Sequence, residues 1–228
     1  MKRMKLTYYG HSCIGIQTGD AHLLFDPFIS GNSLAKDIDM ESIPATHVLL
    51  SHGHGDHVAD AEAILKRTDA MLISNAEICD WYAVKGIKKA NPMNIGGEAD
   101  LGSFRVRFTM AQHSSTLPDG ASGGDPGGFV IMTKEGNIHH AGDTGLMLDM
   151  QLLKRHNLRF ACLPIGDNYT MGFADAVEAA QYMGVKIVVG MHYDTFPAIT
   201  IDLEAAKAAF AAANIQLLLP AIGQTIEP

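Results

Sequence analysis

The sequence is short of cysteine, tryptophan and positive charge. Its 228 residues include three Cys and one Trp, and 17 Lys and Arg stand against 25 Asp and Glu, a formal net charge of −8. That balance argues against a general nucleic-acid binder, because affinity for phosphate rests mostly on Lys and Arg. Cys13, Cys79 and Cys162 are far apart, odd in number and outside any CxxC pair. Each sits in an apolar stretch, so buried thiols and a reducing compartment are expected. No apolar run approaches the roughly 18 residues that a spanning helix needs. The opening MKRMKLTYYGHSC is basic but lacks the apolar core and small-residue cleavage site of a signal peptide. A cytoplasmic protein away from membranes is the expectation. At 47% hydrophobic and 18% charged residues, the composition fits one globular domain over 1–228 with a sizeable core.

Histidine is what the chain has in concentration. Residues 51–57 read SHGHGDH, placing His52, His54, Asp56 and His57 within six positions. They follow HVLL, which reads as a buried strand, and precede VADAEAILKR, which reads as an amphipathic helix. In extended chain, residues two apart point to one side, so His52 and His54 can grip a single cation. Gly53 and Gly55 let the loop curl and carry Asp56 and His57 to a second position. Imidazole with carboxylate suits zinc, manganese or iron; a calcium or magnesium site would want oxygen alone.

In chain order, MKLTYYG, CIGIQT and AHLLFDP read as a three-strand meander, and residues 28–46 as a polar, turn-rich loop. After the motif and its helix, AMLIS is a strand and NAEICDWYAVKG a helix capped by Asn75 and closed near Gly86. A turn is expected around Asn91 and Pro92, then the alternating strand SFRVRFTMAQH. Residues 114–128, rich in Ser, Gly and Pro, are long for an ordinary connection, so either a functional loop or disorder is expected there. GFVIMT and NIHHAGDT are strands, LMLDMQLLKRHN a helix, RFACLPI a strand and FADAVEAAQYMG a helix closed by Gly184. KIVVGMHY is a strand, DLEAAKAAFAAAN a helix capped by Asp202, and IQLLLP the last strand. Strands opening each half, followed by strand–helix units, suit an α/β architecture of four layers, an αββα sandwich with two face-to-face sheets.

Three further ligand-type residues follow predicted strands: His113, Asp143 in HHAGDTG, and His192 in MHY. Strand ends are where loops converge and sites assemble. Seven ligand-type side chains exceed the needs of one tetrahedral zinc, so two ions are expected. His11 follows the first strand between Gly10 and Ser12; it is either a satisfied structural residue or a proton donor at the mouth of the site. Asp167, Asn168, Tyr169 and Thr170, in a loop after a strand, are candidates to line the pocket.

SHGHGDH, His113, GDT and MHY, in this order, resemble the metallo-β-lactamase superfamily. YYGHSC, LLFDPF, HHAGDTG, LPIGDNYTMG and MHYDTFP are similar to metal-dependent hydrolases near the ascorbate-6-phosphate lactonase branch. The resemblance covers nearly the whole chain and implies the metallo-β-lactamase fold. It implies one ion on His52, His54 and His113, a second on Asp56, His57 and His192, and Asp143 bridging both. Asp26 in LLFDP would support the metal loop without ligating. His54 separates the chain from the flavodiiron branch, which has glutamate there.

The chemistry expected is hydrolysis by a metal-bound hydroxide, zinc first among the ions. The substrate would be a small, anionic molecule, an ester, lactone or phosphoester, with Asp56 and His11 as the catalytic side chains. A phosphodiesterase or nuclease acting on nucleotides or RNA is the alternative, and a non-enzymatic or iron-dependent redox role a third reading. Expected partners are the small molecule and, in a homo-oligomer, further copies of the chain.

Overall fold

The computed structural model describes residues 4–228. Period-two alternation builds the opening meander: β1 (Lys5–Gly10), β2 (Cys13–Thr18) and β3 (Ala21–Phe25) pair antiparallel in sequence. Then β4 (His47–Leu49), β5 (Met71–Asn75) and β6 (Ala90–Met93) add on in parallel. The second sheet runs from β7 (Glu98–Asp100), β8 (Arg105–Met110), β9 (Gly127–Thr133) and β10 (Gly136–His140), all antiparallel, into a parallel half. That half comprises β11 (Leu158–Pro164), β12 (Ile187–Met191) and β13 (Gln216–Leu218). A short β14 (Thr225–Ile226) returns to pair with β1, so among the described residues each sheet has seven strands.

Register explains the layering. Leu24, Val48 and Leu72 are cross-strand partners, and all three belong to the core beneath α1 (Gly55–Val58), α2 (Ala61–Thr68) and α3 (Ala76–Ala83), with Ile64, Leu65, Ile78 and Tyr82. Their neighbours Phe25, Leu49 and Ile73 are also partners, and belong to the other core with Phe108, Phe129 and Phe160 of the second sheet. Successive side chains of a strand take opposite faces, so one apolar run serves both cores. On the far side, α4 (Phe173–Met183) and α5 (Leu203–Ala212) cover the second sheet through Ala176, Ala179, Ala180 and Phe210. The expected αββα sandwich is what forms.

Several local expectations change. Asn91 and Pro92 lie inside β6 rather than a turn; β6 is an edge strand, where proline removes no needed ladder donor. Leu148–His156 is a 3-10 segment, not an α-helix, and its buried Met150 and Leu153 are three apart, the spacing that aligns in that tighter helix. Residues 55–68 are two helices broken at Ala59 and Asp60, so Asp56 and His57 sit in a helical turn instead of a curled loop. Residues 114–128 are ordered: Thr116 bridges Ser122, Leu117 is buried, and Asn75 Nδ2 donates to the carbonyls of Gly123 and Asp125 at 2.6 and 2.9 Å. The three cysteines are free and buried, and burial pushes the Cys13 and Cys162 thiols up. Among the described residues, no helix is long and apolar enough to cross a membrane.

Candidate metal centre

The site collects at one edge of the two sheets, where β1, β3, β4, β8, β10 and β12 end just before or within a few residues of His11, Asp26, the SHGHGDH motif, His113, Asp143 and His192. His11, Asp26 and His192 hold left-handed backbone angles, with φ of 55, 43 and 55°. A side chain at such an angle costs about 1–2 kcal/mol, so the surroundings must enforce it. They do: Asp26 N–H donates to Leu49 O at 3.0 Å, and His192 N–H donates to His11 O at 2.9 Å.

Asp26 orders the motif from behind. One carboxylate oxygen accepts from Ser51 N–H at 2.8 Å; the other accepts from Ser51 Oγ–H at 2.6 Å and from His57 Nδ1–H at 3.0 Å. Because Ser51 gives its single proton to Asp26, its Oγ can only accept from His52 Nδ1, 3.0 Å away. In their neutral forms both histidines are thereby left with unprotonated Nε2 atoms aimed away from Asp26. This is how a carboxylate orients imidazoles for metal binding.

Those nitrogens converge on Asp143. Its Oδ2 lies 2.9 Å from His192 Nε2, 3.3 Å from His57 Nε2, 3.6 Å from His113 Nε2 and 3.9 Å from His52 Nε2. Ligand-type atoms of His52, His54 and His113 lie within 4.8 Å of one another, as do those of His11, Asp56, His57 and His192, and those of His52, His57 and Asp143. His52 Nε2 and His54 Nδ1 face each other at 3.0 Å. Two nitrogens on one tetrahedral zinc at about 2.0–2.1 Å would stand roughly 3.4 Å apart, so this pair is close to ready. His57 Nε2 and Asp143 Oδ1 are buried without a hydrogen-bond partner. Unsatisfied donor atoms of this kind, in a nitrogen and oxygen set, fit divalent transition ions.

Apart from His57, the electrostatics favour the charge states that metals need. Burial depresses His52, His54 and His113 below the usual imidazole range, keeping them neutral. Burial also opposes ionisation of Asp143, but the surrounding His57 and His192 outweigh it and hold the carboxyl well below its usual value. For His57, burial disfavours the cation, yet Asp143 and Asp26 together raise it well above the normal imidazole value. A proton therefore occupies His57 where an arriving cation would displace it.

Above this cluster opens a cleft of about 650 Å³ lined by His54, Asp56, His113, Ser114, Asp143, Tyr169, His192, Phe196, Pro197 and Ala198. All seven expected ligands are brought together, and Asp26 lies behind them. Of the four loop candidates, only Tyr169 reaches the cleft. Asp167 and Asn168, with φ of 62 and 55°, turn into an adjoining depression with Gly172 and Asp202, and Thr170 lines neither. The Gly-rich 114–128 segment contributes only Ser114, whose Oγ is 3.2 Å from His54 Nε2. His11 is walled off: its side chain has no exposure, and burial lowers its imidazole to about 4 against the opposing pull of Asp56. Sequence reasoning missed Ser51 and the Phe196–Ala198 wall, although both lie inside or beside motifs that had been singled out.

Residues 22–193 match the family described as the β-lactamase superfamily domain. A UPF0173 metal-dependent hydrolase of Christiangramia forsetii is 47% identical over 226 residues, covering 98% of this chain and 100% of that protein. The UPF0173 metal-dependent hydrolase YtkL of Bacillus subtilis is 44% identical over 208 residues, 89% of this chain and 91% of that one. Igni18, a metallo hydrolase of known structure from Ignicoccus hospitalis, superposes with a TM-score of 0.88 at 33% identity, over 99% of this chain and 98% of that one. The chain belongs to the metallo-β-lactamase superfamily, as a metal-dependent hydrolase of that fold.

Proposed function

We propose that this hydrolase acts on small, uncharged carboxylic esters or lactones at a pair of divalent ions, with zinc the ion its donors suit best. The observation that carries the reading is Asp143 Oδ2 amid four imidazole nitrogens, at the floor of a cleft walled by Tyr169, Phe196, Pro197 and Ala198. His52, His54 and His113 would hold one ion, Asp56, His57 and His192 the other, with Asp143 between them. Ions bound there would supply an acidified water as nucleophile and positive charge for the developing oxyanion.

The chain's own groups do the rest. Asp56 stays ionised, because its imidazole neighbours, His11 and His57, overcome the burial that opposes its charge. It therefore serves as a ligand, not as a proton carrier. Ser114 and Tyr169 put neutral hydroxyls at the cleft, able to bond substrate oxygens. Among the described lining residues none is Lys or Arg. Phosphate esters ordinarily call for such side chains, while the apolar wall suits an uncharged acyl or ring group. The proposed range is narrower than the expected one, leaving out phosphoesters and anionic substrates.

The test is a panel of aryl esters, lactones and bis(aryl) phosphodiesters on metal-loaded protein. Ester or lactone turnover should exceed phosphodiester turnover by at least about 100-fold in kcat/KM, some 2.7 kcal/mol of transition-state preference. Preferred cleavage of phosphodiesters or RNA would overturn the substrate class.

A further inference from the structure

We infer that His11 is an additional ligand of the second ion position, binding through Nε2 beside Asp56, His57 and His192; this rests on the dinuclear reading above. His11 lies outside the motifs that form the seven-residue set, yet the chain places it with care. Its carbonyl accepts from His192 N–H at 2.9 Å and from Tyr8 Oη–H at 3.2 Å, so the end of β1 is strapped to the end of β12. Its ring lies 4.1 Å from that of His192, centre to centre, with Phe28 and Phe196 edge-on at 5.6 and 5.5 Å. Water has no access to it.

The hydrogen-bond geometry points to one tautomer, with the proton on Nδ1. Thr195 Oγ is 3.3 Å from Tyr193 O, and a carbonyl can only accept, so the threonine proton lies on that line. Thr195 Oγ is then free to accept from His11 Nδ1–H at 3.0 Å. The neutral ring keeps a lone pair on Nε2. That lone pair points at Asp56 Oδ2 from 3.2 Å, and a carboxylate oxygen has no proton to give. Two acceptors held at this separation, the imidazole fully buried and the carboxylate only partly exposed, repel unless a cation lies within reach of both. His52 Nε2 and His54 Nδ1 form the same kind of pair at the first position. The other buried histidines nearby behave differently: His139 Nδ1 turns to Phe129 O and His140 Nε2 to Ser12 O, both backbone acceptors.

The consequence is an unequal pair of positions. The first would draw on His52, His54, His113 and Asp143. The second would draw on His11, Asp56, His57, His192 and Asp143, one protein donor more. The second position should therefore fill first and release its ion last, and it should tolerate ions that prefer more than four ligands.

Ring-nitrogen NMR on the histidine-labelled wild-type chain, metal-free and loaded with zinc, tests this directly. Six metal-bound rings are expected, with His11 protonated on Nδ1 and metal-shifted on Nε2. Five metal-bound rings, with a proton on His11 Nε2, would reduce His11 to a hydrogen-bond donor positioning Asp56 and overturn the inference while leaving the dinuclear reading intact. No metal-bound ring at all would overturn both. In parallel, zinc titration of His11→Gln against a competing chelator should show the tighter of two dissociation constants weakened about tenfold or more, and the weaker one unchanged. Two unchanged constants would also overturn it. If that variant does not fold, the wild-type spectrum decides alone.

Discussion

Replacing Asp26 by Asn probes how much of the metal centre is built by a residue that would touch no metal. Asparagine tolerates the left-handed φ of 43° and keeps the shape, so the change is chiefly electronic. The amide oxygen can still accept from Ser51 N–H. The amide nitrogen, however, faces two donors, Ser51 Oγ–H and His57 Nδ1–H, where the carboxylate accepted both. Ser51 can rotate its hydroxyl. His57 can escape the clash only by moving its proton to Nε2, the atom that should meet the ion. Loss of such an orienting carboxylate typically weakens metal binding about 10–100-fold, or roughly 1.4–2.7 kcal/mol. Losing two charge-assisted bonds in a fully buried place, partly replaced by new ones, should also lower stability of the metal-free protein by about 2–4 kcal/mol. Chelator-competition titration gives the first quantity and urea unfolding the second. Asp26→Asn binding both ions within about twofold of the wild type would refute the tautomer argument, whatever its stability.

Two more expectations follow from burial. His139 is held neutral by burial, with its imidazole lowered to about 3. The unfolded chain takes up that proton near 6.5, so stability should be lost as pH falls below that value, by about 1.4 kcal/mol per unit until the folded value is reached. In the metal-free state, His139→Leu should therefore lose about 2–3 kcal/mol less than the wild type between pH 6.5 and 4.5 in urea titrations; parallel losses would contradict this. Asn75 caps α3 by accepting from Ile78 N–H at 2.9 Å while its amide holds the carbonyls of Gly123 and Asp125. Asn75→Ala should cost about 2–4 kcal/mol and make residues 114–128 a site of proteolytic nicking, and an uncut loop at unchanged stability would count against the tether.

The candidate site was legible because the side chains it gathers are chemically conspicuous and fall at strand ends that periodicity reveals. His52, His54, Asp56 and His57 announce themselves by spacing, and His113, Asp143 and His192 by following apolar runs. The caps at Asn75 and Asp202 were readable for the same local reason, since each side chain bonds the first turn of its own helix. What depended on distant partners was not readable. β14 is two residues long and exists only because β1 offers an edge. Pro92 looked like a turn because nothing local says its strand is an edge. Asp167 and Asn168 sit in the right loop, but their left-handed backbone aims them away from the cleft. His11 had a plausible position and an unreadable environment; its partners Asp56 and Thr195 are 45 and 184 residues away.

The central claim is a two-ion centre bridged by Asp143, and metal counting tests it most directly. Equilibrium dialysis of the metal-free chain against zinc, followed by elemental analysis, should give two ions per chain for the wild type. Asp143→Ala should weaken both ions, and His192→Ala should mainly lose the second while keeping the first. Saturation of the wild type at one ion, or full double occupancy in Asp143→Ala, would contradict the account.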